Sequence, residues 1–481
     1  MLDKEIVDKI LAIPEETQKI EFKRLKGDKV VTKIIQTIVA MSNMEGGVIF
    51  FGIDDPEKTK LKGRDRIFGL EENMDLFDEI GREVQKIVPP IGNIWTPIKI
   101  KDEIVNKTIV HLTIQKSPNV FHSINNEVWI RQNKSNKKLS PQEIIKMSYA
   151  KGFEKADIEL VDVDFELLNT EHYESWKQFR ELPISSIRDT LFSTGLARKN
   201  EQGILLPTRA SVLLFALHPT NILDTKCAVR VFQYSGTIET FGEVPNLKGI
   251  PKTLEGPLIK IIKDTQDYVL LLLRNGIEIH SGFLTKYQIP ERAVKEAITN
   301  SIIHRDYFIK RDIEISIFED RIEIINPGLF PYNITTSNIG RVRADGYRND
   351  LIVKHLREFP EQPNLDRNEG VQAMRNEMRE QNLYDPIYLS YPIYEDSIKV
   401  VLLNEKRQDE WEKVKEYLLS NHYINNSKAR ELTNIAQLHK MSRLFTKWVS
   451  QGLLVKIQIE NSTKNTKYKL SNSEDLNLNK S

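Results

Sequence analysis

Only one cysteine, Cys227, occurs in 481 residues. Neither an internal disulfide nor a multi-thiolate zinc site can be built from it, and a reducing compartment is expected. No stretch reaches the roughly 18 consecutive apolar residues of a membrane-spanning helix. The opening Met1-Leu2-Asp3-Lys4-Glu5 lacks the basic stretch and apolar segment of a secretory signal. A cytoplasmic protein without a membrane partner is therefore expected. An excess of one charge is also missing: 69 basic residues face 68 acidic ones, for a net +1. No global positive field attracts nucleic acid, so any such affinity must come from local patches. The Gly-x4-Gly-Lys-Ser/Thr phosphate loop is absent, which excludes that route to nucleotide binding. No internal repeat is visible.

What is present is ordinary globular composition, 40% apolar and 28% charged, over a length that predicts about three domains. Apolar residues at 30, 31, 34, 35, 38 and 41 have helical spacing, and Gly46-Gly47 ends that helix. Val48 to Ile53 is a continuous apolar run, the pattern of a strand buried on both faces. Ile20-Glu21-Phe22-Lys23 alternates with period two, placing Glu21 and Lys23 on one face of a short strand. Further strands are expected at 98–100, 108–114 and 127–131, and a closing helix at 141–151. Residues 157–199 read as a helical connector. A second α/β unit then opens, with strands at 210–216 and 228–234 and helices at 254–273 and 291–304. Its hairpin, 313–318 with 321–325, turns at Glu319-Asp320. Helices at 350–357 and 370–381 and strands at 388–391 and 398–403 complete it.

Glu16, Glu21 and Asp54 are the first candidate site. If the strand of Glu21 lies beside the strand that ends at Asp54, their carboxylates meet at one sheet edge and Glu16 closes over them. Three such groups repel unless they hold a divalent cation, and Mg2+ or Mn2+ takes oxygen ligands of this kind. The ion would activate water and stabilise charge on a phosphodiester, with Lys23 beside the scissile phosphate. A surface strand with alternating Glu and Lys has the same spacing without any function. His122 is expected to be a satisfied, partly buried imidazole. Lys26, Lys116 and Arg131 are expected to track phosphates.

The run Glu16-x4-Glu21-Phe22-Lys23, the helix end Ala40-Met41-Ser42-Asn43-Met44-Glu45-Gly46-Gly47 and the strand Phe51-Gly52-Ile53-Asp54-Asp55 resemble the Schlafen AlbA-2 domain in order and spacing, as does Val128-Trp129-Ile130-Arg131. The resemblance implies nucleic-acid binding. It also implies a metal-dependent ribonuclease site, whose three acidic positions fall on Glu16, Glu21 and Asp54.

Glu296, Asn300 and His304 recur at intervals of four and share one helix face. Pro290-Glu291-Arg292-Ala293-Val294-x-Glu296-Ala297-Ile298-x-Asn300-x3-His304-Arg305-Asp306-Tyr307, then Ile324-Ile325-Asn326-Pro327-Gly328 and Asn368-Glu369-Gly370-Val371, is similar to the GHKL-type module related to the carboxy-terminal part of RecG helicases. The resemblance implies ATP held with Mg2+: Asn300 on the metal, Glu296 activating water, and Asn326 in place of the aspartate that receives the adenine amino group. Gly328, Gly370 and His304 complete the expected cofactor set. The glycine-rich lid is reduced to Gly370, so binding is expected to outrun turnover.

From Glu405 onward the expected order is three short helices and a strand pair, that of a winged helix-turn-helix. Its helix 439–451 sets Lys440, Arg443 and Lys447 against Met441, Leu444, Phe445 and Trp448, a basic face for nucleic acid.

The fold expected is thus multidomain, α/β and α+β. A mixed-sheet AlbA-2-like domain covers 1–151, a helical connector 152–205, a GHKL-like α/β sandwich 206–404 and a small winged helix 405–471, with a polar disordered tail at 472–481. The function expected is a nucleic-acid effector, a metal-dependent nuclease gated by ATP, homo-oligomeric and plausibly set in bacterial antiphage defence. The rivals are an ATP-responsive transcriptional regulator without nuclease activity, and an ATPase whose first domain docks a protein partner.

Overall fold

A computed structural model describes all residues except 1–2, 28, 93–94, 118–119, 154, 184, 224–225, 241–245, 276, 279–283, 286, 364–369, 392, 422, 458–465 and 472–481. The tail at 472–481 and the motif residues Asn368 and Glu369 lie outside the described residues. The chain divides into two compact units, residues 1–148 with 409–481, and residues 149–408. Among the described residues no helix is long and apolar enough to cross a membrane.

The first unit is built on a four-stranded sheet in the order Ile20–Lys23, Gly47–Phe51, Lys107–Ile114, Ile98–Asp102. Its first pair is parallel and the others antiparallel. The apolar run predicted to be buried on both faces is so. Ile49 and Phe51 pack with Ile34, Ile38, Phe77 and Ile80 on one side. Val48 and Phe50 pack with Val7 and Ile10 of the helix Asp3–Ala12 on the other. Each such side chain contributes roughly 1.5–3 kcal/mol by leaving water. A small antiparallel meander, Ser123–Ile124, Glu127–Gln132 and Ser135–Lys138, comes next in the chain.

The carboxy-terminal part of this unit has helices Asp409–Ser420, Asn426–Thr433 and Leu438–Ser450, then the antiparallel pair Leu454–Ile457 and Lys467–Leu470. Ile424–Asn425 adds a third short strand. Trp411 meets Trp448 at 5.3 Å, and Phe445 stacks on Tyr468 at 4.0 Å. The apolar side of the last helix is thereby consumed in the core, leaving its basic side outward.

The second unit carries a six-stranded mixed sheet, ordered Lys252–Leu254, Val229–Gln233, Ile313–Ile317, Arg321–Pro327, Ser397–Leu403, Ile387–Leu389. Only Val229–Gln233 and Ile313–Ile317 run parallel. The predicted hairpin turn at Glu319-Asp320 is present, with Phe318 N donating to Arg321 O at 2.9 Å. Residues 210–216, expected as a strand, are helical instead, within Arg209–Phe215. Thr208 caps this helix by accepting from Ser211 N, and every residue from Ala210 to Phe215 is buried. Burial all round erases the period that would have separated helix from strand. Residues of the expected connector, among them Phe165, Trp176 and Leu191, join the same core as the sheet.

Candidate functional site

Glu16 leaves the loop ahead of the first strand and accepts from Phe22 N at 3.0 Å. Glu21 and Lys23 share a strand face as their period requires, and they form an ion pair. Lys23 also reaches Glu16 Oε1, at 3.6 Å. The third carboxylate of the cluster is Asp55, not Asp54. Lys58 Nζ lies 3.0 Å from Glu16 Oε2 and 2.6 Å from Asp55 Oδ2. The parallel register explains the change. Glu21 sits beside Ile49, and the strand closes at Phe51. The turn at Gly52, whose φ is +81°, therefore aims both aspartates. Beyond it, Asp54 N donates to Arg66 O at 3.0 Å and the Asp54 carboxylate faces Arg24 at 3.8 Å. Asp55, the next residue, turns to the opposite side.

Burial and the neighbouring Glu21 raise the pKa of Glu16, and Lys23 only partly opposes them. Burial would raise Asp55 as well, but hydrogen bonds from Lys58 and the Glu57 amide hold it below its usual value. Burial acts to lower the Lys58 ammonium, and Asp55 and Glu16 outweigh it and raise its pKa. Three carboxylates thus meet three cations, Lys23, Lys58 and Arg131. Among the described residues no group of three His, Cys, Asp or Glu side chains is placed to hold a metal ion. The oxygens that an ion would need are already committed to ammonium and guanidinium groups, so Mg2+ or Mn2+ does not fit this cluster as arranged.

Arg131 and Lys116 do not track phosphates. Arg131 is 1% exposed, paired with Glu21 and hydrogen-bonded to Asn136 Oδ1 at 3.0 Å. Lys116 faces Glu45 at 3.6 Å with its side chain 5% exposed. Each was drawn into the fold by a carboxylate distant in sequence. Lys26 is exposed. His122 is the satisfied imidazole expected, buried with Nδ1 2.6 Å from Pro89 O.

In the second unit, Glu296 and Asn300 on the helix Glu291–Ile303, His304 at its end, Asn326 on a central strand and Gly370 all line one cleft. Ile334, Ile339, Val342, Met374, Ile398 and Val400 give it apolar walls. The helix Gly370–Glu380 begins so close to Glu296 that a Cβ on Gly370 would lie 2.5 Å from Oε2 and 3.4 Å from Asn300 Nδ2. A side chain there would have to move the Glu296 carboxylate. Asn326 Oδ1 is buried and accepts no hydrogen bond among the described residues, an unmet acceptor that costs about 1–3 kcal/mol until a donor arrives. His304 stacks on Tyr347, with centroids 5.7 Å apart. Burial and Arg348 push its pKa down to about 4, so the ring is neutral. Gly328 stands apart from this set: it packs on Asp306 and the Arg348 guanidinium, which form a buried ion pair at 3.4 Å. An apolar slot with the unmet Asn326 acceptor and an unpartnered Tyr388 hydroxyl among its described residues, beside a carboxylate, an amide and an imidazole, suits a ligand that has a flat donor-bearing ring and a polar end. Nucleotides have that form.

On the third candidate surface, Lys440 and Arg443 are exposed and Lys447 is half-buried, opposite the fully buried Met441, Phe445 and Trp448.

The residues that sequence reasoning missed are Asp55, Lys58 and Tyr347. Asp55 is adjacent to the expected aspartate, and only the turn geometry separates the two. Nothing in the sequence points to Lys58 or Tyr347.

Residues 16–140 match the family described as "Schlafen, AlbA_2". Residues 310–402, which include Asn326 and Gly370, match the family described as "Putative ATP-dependent DNA helicase recG C-terminal". No curated protein matches the chain. The crystal structure of the DIP2311 protein from Corynebacterium diphtheriae is similar at 15% identity, with 97% of each chain covered and a TM-score of 0.38. The chain thus joins a region matching the Schlafen, AlbA_2 family to one matching the recG carboxy-terminal ATPase-type family, a pairing that points to a nucleic-acid-related function.

Proposed function

We propose that the protein is a nucleic-acid-binding effector whose state is set by ATP held with Mg2+ in the cleft of the second unit. The observation that carries this reading is the convergence on one cleft of Glu296, Asn300 and His304 from a single helix with Asn326 and Gly370 from two later elements. Asn326 would accept a hydrogen bond from the adenine amino group, Asn300 would hold Mg2+ and Glu296 would orient water. When bound, Mg2+ supplies positive charge against the phosphates. The uncharged Asn326 and the single glycine of the lid favour binding over rapid turnover. Nucleic acid is engaged by the first domain and by the basic face of Lys440, Arg443 and Lys447 on a winged helix. A homo-oligomeric state and a role in antiphage defence belong to the same proposal.

Equilibrium binding of labelled ATP with and without Mg2+ tests it. Asn300→Ala is expected to abolish Mg2+-dependent binding, and retained affinity would remove the assignment.

A second reading, phosphodiester cleavage in the first domain, is favoured by the gathering of Glu16, Glu21 and Asp55 around Lys23 and Lys58. Glu16 is the proton carrier in this reading and Lys23 the cation nearest the phosphate. Labelled RNA, transfer RNA and single- and double-stranded DNA, incubated with Mg2+, Mn2+ or a chelator, distinguish the outcomes. Cleavage lost in Glu21→Ala supports a nuclease. Intact substrate with salt-sensitive binding identifies a regulator.

A further inference from the structure

Within the first unit, a crevice of about 200 Å3 opens between the end of the helix Asp3–Ala12 and the carboxy-terminal module. It is more than ten times the roughly 10–15 Å3 that a lone water needs on the same measure. Lys9 lines one side, and Tyr417, Tyr423, Asn425, Lys428 and Lys467 line the other. Among the described residues, every charged group on its wall is cationic. Lys428 has its own carboxylate, Glu431, at 2.6 Å outside the crevice. For Lys467, among the described residues, no carboxylate lies within ion-pair distance, and its ammonium stands 6.0 Å from the centre of the Tyr423 ring. Burial lowers its pKa, and the charge of Glu15 partly opposes this.

A half-buried ammonium outside ion-pair distance of any described carboxylate, on a wall shared with two more lysines, is stabilised by an anion that completes the arrangement. Lysine ammonium, tyrosine hydroxyl and asparagine amide are the side-chain donors that nucleic-acid phosphates accept from. We infer that this crevice is a phosphate-binding subsite for the backbone of a nucleic-acid strand, which would run between the first domain and the carboxy-terminal helices. The inference rests on the nucleic-acid-binding reading and locates a contact which that reading does not contain.

The test is the salt dependence of affinity for a labelled single-stranded oligonucleotide, measured on the full chain and on Lys467→Met, Lys467→Arg and the triple Lys9→Ala, Lys428→Ala, Lys467→Met variant. Loss of one phosphate contact is expected to lower the slope of log K against log salt by about 0.7 and to weaken binding several-fold. The triple variant should lower the slope further, and Lys467→Arg should restore it at an unchanged melting temperature. Inorganic phosphate should compete only weakly. If the wild type binds and the variants keep its slope, the subsite is wrong while the nucleic-acid reading stands. If inorganic phosphate binds the wild type but not the triple variant, and oligonucleotide affinity is unchanged, the crevice takes a free anion and the inference is overturned. A wild type that binds no oligonucleotide would remove both.

Discussion

Glu16 and Asp55 grip the same ammonium group: Lys58 Nζ stands 3.0 Å from one carboxylate and 2.6 Å from the other, though the residues are far apart in the chain. This clasp, with Lys23 bridging Glu16 to Glu21, sets which acidic residue belongs to the first domain's cluster.

Asp55→Asn should therefore lower any cleavage by this domain about 100-fold, the lower range for a displaced acid–base group. Asp54→Asn should leave it within about 2-fold, because that carboxylate faces Arg24 instead. Initial rates on labelled RNA check both, and equal losses would break the distinction.

Arg131→Met should destabilise the first unit by about 1–3 kcal/mol, because it takes from the buried Glu21 carboxylate one of its two cations and leaves only Lys23. Lys26→Ala, at an exposed position, should change stability by less than about 0.5 kcal/mol. Urea denaturation of the two variants separates a structural arginine from a surface lysine.

Gly370→Ala should weaken ATP binding at least about 10-fold without altering the fold. Its methyl would have to displace the Glu296 carboxylate from a 2.5 Å approach, and overpacking of this kind costs about 1–3 kcal/mol. Titration with a fluorescent ATP analogue reads the loss, and a normal circular dichroism melt excludes unfolding.

Much of this fold is legible in the order of residues alone. Ile20–Lys23 is predicted residue for residue because alternation over four positions admits no other element. The helix carrying Glu296 and Asn300 is equally plain because its polar stripe repeats every four. Where the sequence misleads, the cause lies in three dimensions. Residues 210–215 are buried on every side, Ser211 included, and a segment without an exposed polar face carries no period. Arg131 reads as a surface cation because nothing local announces that Glu21 will draw it inward. The cluster aspartate is misplaced by one residue because the turn at Gly52, not the spacing of the motif, decides which of two neighbours points back to Glu16.

Stability should fall as pH drops from about 6.5 toward 4. Burial holds His111, His304 and His355 each at about 4. Between those limits the unfolded chain takes up protons that the folded chain refuses, so the contribution is complete above 6.5 and lost on acidification. His111 is the cleanest probe: both ring nitrogens are buried without hydrogen-bond partners among the described residues, and the ring packs on Phe50 at 5.4 Å. His111→Phe should flatten the acid limb of the melting temperature against pH, and an unchanged limb would place the acid sensitivity elsewhere.

Because residues 1–148 and 409–481 form one unit around an intervening 149–408, a ribosome has to deliver the entire middle of the polypeptide before the opening unit receives its last pieces. Tyr423 packs against the apolar cluster of the first helix, so a nascent chain halted anywhere in the middle would leave that patch bare. Chaperone capture and protease clipping during biosynthesis should concentrate there, and an expression fragment cut at the end of the AlbA-2 match would inherit the same exposed flank.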